Sequence, residues 1–395
     1  MPQLHPAKPV ESKLQGFKYF EILRPLLARL HADATKRDRA GNRNLFFDNY
    51  GALLLLYFFN PMLTGLRSIQ KISTLEIVQR QLGCKRTSLG SLSEASRIFD
   101  PELLQSIISE LAAKAIPLYQ GHDAEALQGL TAVDGTLLPA LPKMAWALWV
   151  DDTHRAGKLH LHFDVLKGVP CAASVTSGNG SEKAQLRAKL QADRLYVIDR
   201  GYAEYQLFQD IIDRKSSFIG RVRCDAVFDV VEERSVAAEA RKAGVLSDRV
   251  ILLGGRNAPE ARGQTLRLVE VDTGKIDGQG NPEVLLLVSD RLELDAALIA
   301  LAYKFRWTVE LFFRWFKCIL GCKHLLSTCQ NGVTIQAYMA LIASLLIRVW
   351  TGRKPTKRTF EMLCFYFMGW ASAEELQAHF DELEKKERAK ELATK

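Results

Sequence analysis

Three carboxylates, a phenol and two cations are the groups in this sequence whose types and spacing can do chemistry. Tyr303, Arg306, Glu310 and Lys317 lie in the stretch YKFRWTVELFFRWFK. On one continuous α-helix, at about 100° per residue, the four fall within an arc of roughly 60°. The same spacing also suits the polar stripe of an ordinary amphipathic helix, with Arg306 and Glu310 as an i,i+4 pair. Asp134 in AVDGT and Asp199 in VIDRGY each stand where a hydrophobic run stops. Neighbouring strand ends bring such side chains together, and a helix on that sheet can add Glu310. Three converging carboxylates repel one another unless cations lie among them. Hard divalent ions such as Mg²⁺ take carboxylate and water oxygens. Two such ions about 4 Å apart suit phosphodiester chemistry, one at the attacking oxygen and one at the leaving oxygen.

Each aspartate also has a plainer reading. Asp134 before Gly-Thr is a good turn residue. It would also fit a phosphatase motif of the Asp-x-Asp-Gly-Thr kind, but the first aspartate of that motif is replaced here by Ala132. Asp199 could cap a helix, although Gly201 favours a turn.

The elements that must position these groups are legible in the periodicity. Helical patterns cover about 17–36, 45–60 and the segment up to residue 118. Ser73 and Ser93 are candidate N-caps, Glu76 completes a capping-box pattern, and Gly83 is a candidate helix stop. Lys85 and Arg86 at a helix junction give this part a helix-turn-helix-like, DNA-contacting character. From residue 129 the pattern changes to strands: the run ending at Asp134, then 146–150, the alternating KLHLHFDVLKG, and VPCAASVTSG. In KLHLHFDVLKG, Leu159, Leu161 and Phe163 share one side, and His160, His162 and Asp164 the other. A helix over 181–191, a strand ending at Asp199, a helix over 204–213 and the strand SFIGRV follow. That order is the one expected of an RNase H-like α/β domain. Four further candidate strands separated by Gly- and Pro-bearing turns make residues 225–295 a β-rich insertion, and helices resume at Leu294. The division expected is an N-terminal helical, DNA-binding domain (1–125), a catalytic core in two parts (126–224 and 296–350) around the insertion (225–295), and a C-terminal helical tail (351–395).

Bulk properties narrow the class. The chain has 395 residues, 48% of them hydrophobic, which excludes wholesale disorder and allows two or three domains. A net charge of +8 favours an acidic partner such as nucleic acid without requiring one. The seven cysteines are scattered and odd in number, with no CxxC pair, which points to a reducing, intracellular compartment. Cys318, Cys322 and His324 match no standard zinc-finger spacing and read as core thiols and a neighbour. No secretory pattern opens the sequence, and the apolar runs at 50–63 and 337–350 are too short for a membrane span, so they read as core helices.

The spacing Tyr303–x2–Arg306–x3–Glu310–x6–Lys317, with Asp134 and Asp199 in their strand-end contexts, resembles the Tyr-Arg-Glu-Lys (YREK) signature of DDE transposases of bacterial insertion sequence family four. The long interval from Asp199 to Glu310, filled by a β-rich insertion, is similar too. The resemblance covers most of the chain to about residue 350. It implies a catalytic, metal-binding triad of Asp134, Asp199 and Glu310 holding two Mg²⁺ ions, with Mn²⁺ as a substitute. It further implies cut-and-paste transposition on terminal inverted repeats: water nicks the transposon end, and the freed 3′-hydroxyl attacks first its own opposite strand and later the target. Tyr303, Arg306 and Lys317 match positions that in the family contact phosphates and a displaced base. A homodimer on double-stranded DNA, in the bacterial cytoplasm at the nucleoid and away from membranes, is implied as well. One departure stands out. Some members stack a flipped base on a tryptophan of the insertion, whereas Phe228 is the sole aromatic residue between 225 and 295. Another aromatic must then take that role, or the hairpin intermediate differs. The contrasting expectations are a domesticated relative that binds DNA without cutting it, which commonly lacks a carboxylate of the triad, and a non-transposing nuclease, which would need neither the stripe nor the insertion.

Overall fold

A nine-stranded mixed sheet forms the centre of the computed structural model, which describes residues 5–6, 25, 27–31, 44–140, 143–151, 154–254, 265–276, 280–318 and 324–393. The helix expected over 17–36 falls largely outside the described residues, as does Cys322. Ahead of the sheet come the short strand β1 (His5–Pro6) and helices α1 (Phe47–Phe59), α2 (Leu66–Ile72), α3 (Glu76–Leu82), α4 (Leu89–Ile98) and α5 (Leu103–Lys114). The strand β2 (Tyr119–Gln120) pairs with β1, and the short α6 (His122–Ala126) follows.

The sheet strands are β3 (Leu130–Pro139), β4 (Ala156–Asp164), β5 (Val169–Ser177), β6 (Leu195–Ile198), β7 (Ser217–Val222), β8 (Phe228–Arg234), β9 (Val245–Leu253), β10 (Thr265–Ile276) and β11 (Pro282–Ser289). Their spatial order is β5-β4-β3-β6-β7-β11-β10-β9-β8. β3, β6 and β7 run parallel, and every other pairing in the sheet is antiparallel. The crossover from β5 to β6 holds α7 (Glu182–Ala188), and the one from β6 to β7 holds α8 (Tyr205–Asp213). A parallel strand covered on both faces needs a continuous apolar run, which Leu195–Ile198 supplies with all four residues buried. The strands of residues 228–289 continue the same sheet through the β11–β7 pairing. The short α9 (Ala238–Lys242) lies between β8 and β9.

The two faces of the sheet bury different sets. Leu130, Ala132, Leu195, Val197 and Ile219 belong to the larger core, which also takes in the N-terminal helices and α12 (Gln330–Thr351). Val133, Tyr196, Ile198 and Phe218 pack instead with Leu186 of α7 and with Leu207, Phe208 and Ile211 of α8. Ahead of α12 lie α10 (Ala296–Phe305) and α11 (Trp307–Cys318), and after it α13 (Lys357–Phe367) and α14 (Ala373–Ala393).

Several local expectations are corrected. Residues 146–150 form a loop that, among the described residues, has a single isolated bridge, Leu148 to Arg155. Ser73 closes α2 rather than opening α3, its hydroxyl donating to the Gln70 carbonyl, and Ser88 rather than Ser93 caps α4. Gly83 does end α3, with φ +65. His160, His162 and Asp164 share one side of β4, yet that side is buried like the other: His160 meets the Thr176 hydroxyl at 2.8 Å, His162 packs edge-on to Tyr196, and Asp164 pairs with Arg194 at 3.1 Å. The apolar run at 337–350 sits inside a longer helix. α12 is 22 residues long and, among the described residues, the one helix long and apolar enough to cross a membrane, but 94% of its apolar window is buried within the protein. Its Arg348 is buried and donates to the carbonyls of Lys167 and Ile116, tying α12 to the β4–β5 turn and to the segment after α5.

Candidate active site

The register of β3 and β6 sets the first two carboxylates side by side. Leu130 pairs with Leu195 and Ala132 with Val197, and continuing that register by two residues sets Asp134 level with Asp199. Adjacent strands are about 4.8 Å apart. Side chains alternate faces along a strand, so Asp134 projects to the side of Ala132, where α10 to α12 lie, and Asp199, just beyond β6, is met by Tyr303 of α10. Asp134 does not end its strand as the sequence implied. β3 runs on to Pro139 against β4, and only its parallel partner β6 stops short. Asp134 accepts the Gly135 N–H at 2.8 Å. Asp199 leaves β6, opens the tight turn Arg200–Tyr202 and accepts the Arg200 N–H at 2.6 Å.

The stretch read as one helix is two. α10 ends at Phe305 and α11 begins at Trp307, with Arg306 at the joint. The Arg306 N–H donates to the Tyr303 carbonyl and the Val309 N–H to the Arg306 carbonyl, three-residue steps that tighten the chain there. The break changes the stripe: Tyr303 belongs to α10, while Glu310 and Lys317 belong to α11. α11 packs on β3 through a face that includes Phe312, which stacks near Phe163 of β4.

Five of the six expected residues meet around the Arg306 guanidinium. Its Nη2 lies 3.0 Å from Glu310 Oε1 and its Nη1 4.0 Å from Asp134 Oδ2. The i,i+4 pair of the plainer reading therefore does form. Tyr303 donates its hydroxyl to Asp199 Oδ1 at 3.2 Å, and its ring lies 5.8 Å from the Arg306 Cζ. Arg306 Nε is buried without a hydrogen-bond partner. Lys317 lies near the other end of α11. Seven residues beyond Glu310 on α11, it stands about 10 Å farther along the axis.

Electrostatics follow from this crowding. Burial pushes the Asp134 carboxyl up to about 6; the Gly135 N–H and Arg306 pull it down, and Glu182 and Glu310 push it up again. Burial and the charge of Asp199 push the Tyr303 hydroxyl up to about 12. Burial alone would make Arg306 a weaker base, but Asp199, Tyr303, Glu310 and Asp134 outweigh it and raise the guanidinium above its usual value. One cation thus serves three carboxylates.

Three further residues belong to this neighbourhood and went unseen in the sequence. Glu182, in the first turn of α7, pairs with Lys158 of β4 at 3.1 Å. Both lie against Gly135, where an added Cβ would sit 2.9 Å from Glu182 Oε1 and 3.3 Å from Lys158 Cδ. Tyr202 is buried, and its hydroxyl is held well above the usual range by burial and by Glu182, Asp134 and Asp199. The one trace of this in the sequence is the glycine after Asp134, which leaves room for the Glu182 carboxylate.

Hard oxygen donors around a single shared positive charge are the donor set a divalent cation takes. Asp134, Asp199 and Glu310 fit such an ion in chemistry. In spacing they are arranged around the guanidinium: among the described residues, no three His, Cys, Asp or Glu are grouped closely enough to hold one ion.

Comparison with known proteins assigns the fold segment. The family model described as the transposase DDE domain matches residues 125–346, more than half of the chain. The chain belongs to the transposase DDE domain family. This DDE domain is 28% identical over 222 residues to y4zB of Sinorhizobium fredii, a protein named as an inferred transposase, covering 56% of this chain and 60% of that one. It is 24% identical over 239 residues to the inferred transposase of insertion sequence element IS5377 from Geobacillus stearothermophilus, covering 60% of each. The chain thus spans 60% of the length of each of these two curated relatives. Among solved structures, a piggyBac transposase synaptic complex with hairpin DNA matches at a TM-score of 0.42 and 11% identity, over 94% of this chain and 83% of that one.

Proposed function

We propose that this chain is the DNA transposase of an insertion sequence and that Asp134, Asp199 and Glu310 are its catalytic carboxylates. The observation that carries the reading is the cluster around Arg306 at the α10–α11 joint, which faces Asp134 of β3 at 4.0 Å and Glu310 of α11 at 3.0 Å, while Tyr303 donates to Asp199 just beyond the end of β6. The catalytic core is then RNase H-like, in two parts (126–224 and 296–350), with 225–295 as an insertion that widens the same sheet. The helices of residues 1–125, with Lys85 and Arg86 at a turn, bind the terminal inverted repeats, and residues 351–395 form a helical tail.

Asp134, Asp199 and Glu310 would hold two Mg²⁺ ions, or Mn²⁺ in their place, which would supply neutralising charge and acidify an attacking oxygen. The protein's own groups do the rest. Asp134, held by the Gly135 N–H, and Asp199, held by Arg200 N–H and Tyr303, are fixed in orientation before DNA arrives. Glu310 closes the set from the helix side. Arg306, at the α10–α11 joint, and Lys317, near the end of α11, grip separate phosphates of the cleaved strand, and Tyr303 stacks or donates beside it. Two protomers bring two ends together, and the reaction runs through strand nicking and 3′-hydroxyl attack. A hairpin intermediate requires an aromatic residue outside 225–295.

The test is strand cleavage on a duplex carrying the inverted repeats that flank the coding sequence, in Mg²⁺ and Mn²⁺. Wild type should nick at the repeat end, and Asp134→Asn, Asp199→Asn and Glu310→Gln should each abolish nicking while binding persists. Retained cutting by Asp134→Asn would remove the triad assignment. Binding without nicking by wild type in either metal would favour a DNA-binding relative that has lost its chemistry.

A further inference from the structure

We infer that Arg306 is a built-in counter-ion: in the DNA-free protein its guanidinium occupies the place a divalent cation would take, and it must leave before that cation binds. The inference rests on the metal-binding reading of Asp134, Asp199 and Glu310 proposed above. The guanidinium contacts Glu310 at 3.0 Å and faces Asp134 at 4.0 Å, and Tyr303 holds Asp199 on the same side. It is therefore the positive charge around which the carboxylates are spaced.

Two details separate this from a permanent structural ion pair. An arginine committed to structure engages all three nitrogens of its fork, as Arg267 does on the Asp248 carboxylate and the carbonyls of Leu292 and Leu294. Arg306 leaves Nε buried and unbonded, so its position is held by charge and not by a complete hydrogen-bond set. Its backbone also lies at the joint between α10 and α11, so the side chain is not locked within one continuous helix.

The same fork is suited to phosphate. It cannot face the carboxylates and a phosphodiester fully at once. A DNA phosphate that draws Arg306 outward therefore uncovers the carboxylates, and cation binding becomes coupled to DNA binding. Because such coupling is reciprocal, bound cation also raises affinity for DNA.

The experiment is Mn²⁺ binding to the full-length, DNA-free protein, with free Mn²⁺ read by electron paramagnetic resonance and folding checked by circular dichroism. Arg306→Gln should bind Mn²⁺ about tenfold more tightly than wild type. Arg306→Lys, which keeps a positive charge, should stay near wild type, and adding Asp134→Asn to Arg306→Gln should return binding to weak. Equal affinity of Arg306→Gln and wild type, with the double variant weaker than both, would overturn the counter-ion role while leaving the metal site intact. Binding that ignores Asp134→Asn would overturn the metal reading and this inference with it. A second readout needs no variant: a random-sequence duplex, corrected for the ions it holds alone, should raise the wild-type affinity for Mn²⁺, and an unchanged affinity would overturn the coupling.

Discussion

The Tyr303 hydroxyl reaches across 104 residues of sequence to donate to Asp199 Oδ1 at 3.2 Å. It ties the last turn of α10 to the end of β6 and fixes one carboxylate oxygen. Tyr303→Phe removes this bond and little volume. It should lower stability by about 1 kcal/mol in urea unfolding, the net worth of one such hydrogen bond. It should also slow single-turnover nicking while leaving DNA binding within a few fold. A variant as active and as stable as wild type would show that the bond orients nothing.

Gly135→Ala should push the Glu182 carboxylate aside. The new methyl would meet Glu182 Oε1 at 2.9 Å and Lys158 Cδ at 3.3 Å, on the residue that also donates its N–H to Asp134. Both atoms belong to flexible side chains that can turn aside, so the loss of stability should stay below about 1 kcal/mol, under the usual range for overpacking. Glu182→Ala in the same chain should recover part of that loss, since neighbouring changes do not add independently. Additive losses in thermal melts of the single and double variants would place the strain elsewhere.

Acid should destabilise the protein through β4. Burial, with help from the neighbouring cations Lys158 for His160 and Arg194 and Lys189 for His162, depresses His160 to about 4 and His162 to about 3. Both are lowered from an ordinary 6.5, so the unfolded chain takes up protons first as pH falls. Their contribution is intact above pH 6.5 and is lost progressively below it, down towards pH 4 and 3, at up to about 1.4 kcal/mol per pH unit for each histidine. Urea unfolding between pH 7 and 5 should show this slope, and His162→Gln should flatten it by about one proton's worth. An unchanged slope would mean that His162 is protonated in the folded protein.

Chelation should separate chemistry from stability. EDTA should abolish nicking, yet shift the melting temperature of DNA-free protein little, because Arg306 already supplies positive charge to Glu310 and Asp134. Mg²⁺ at roughly its dissociation constant should add no more than about 0.5 kcal/mol by mass action. A large stabilisation by Mg²⁺ without DNA would contradict a guanidinium-filled site.

The sheet strands were legible because Leu195–Ile198 and its neighbours carry continuous apolar runs bounded by turn residues. The break at Arg306 was not, since arginine is a good helix former and no glycine or proline marks the joint. Arg306 keeps helical dihedrals and the joint shows only in its three-residue hydrogen-bond steps, of which local propensity carries no sign. The loop at 146–150 looked like a strand because its residues favour extended backbone, which is a context-dependent preference. Glu182 was hidden for a different reason. Its capped position at the start of α7 reads as ordinary helix chemistry, and only the approach to Gly135 relates it to Asp134.

The continuity of the sheet from β7 through β11 to β8 has a consequence for the order in which the protein is made. Asp134 and Asp199 leave the ribosome first, on strands that can pair at once. Arg306 and Glu310 arrive only after residues 228–289 have been synthesised, and α10 begins seven residues after β11, the strand that docks on β7. A nascent or truncated chain that stops within that interval therefore has two acidic groups, no third carboxylate and no guanidinium between them. It cannot assemble the site, however well its first strands fold, so under the proposed function cutting competence is confined to chains whose widened sheet is complete.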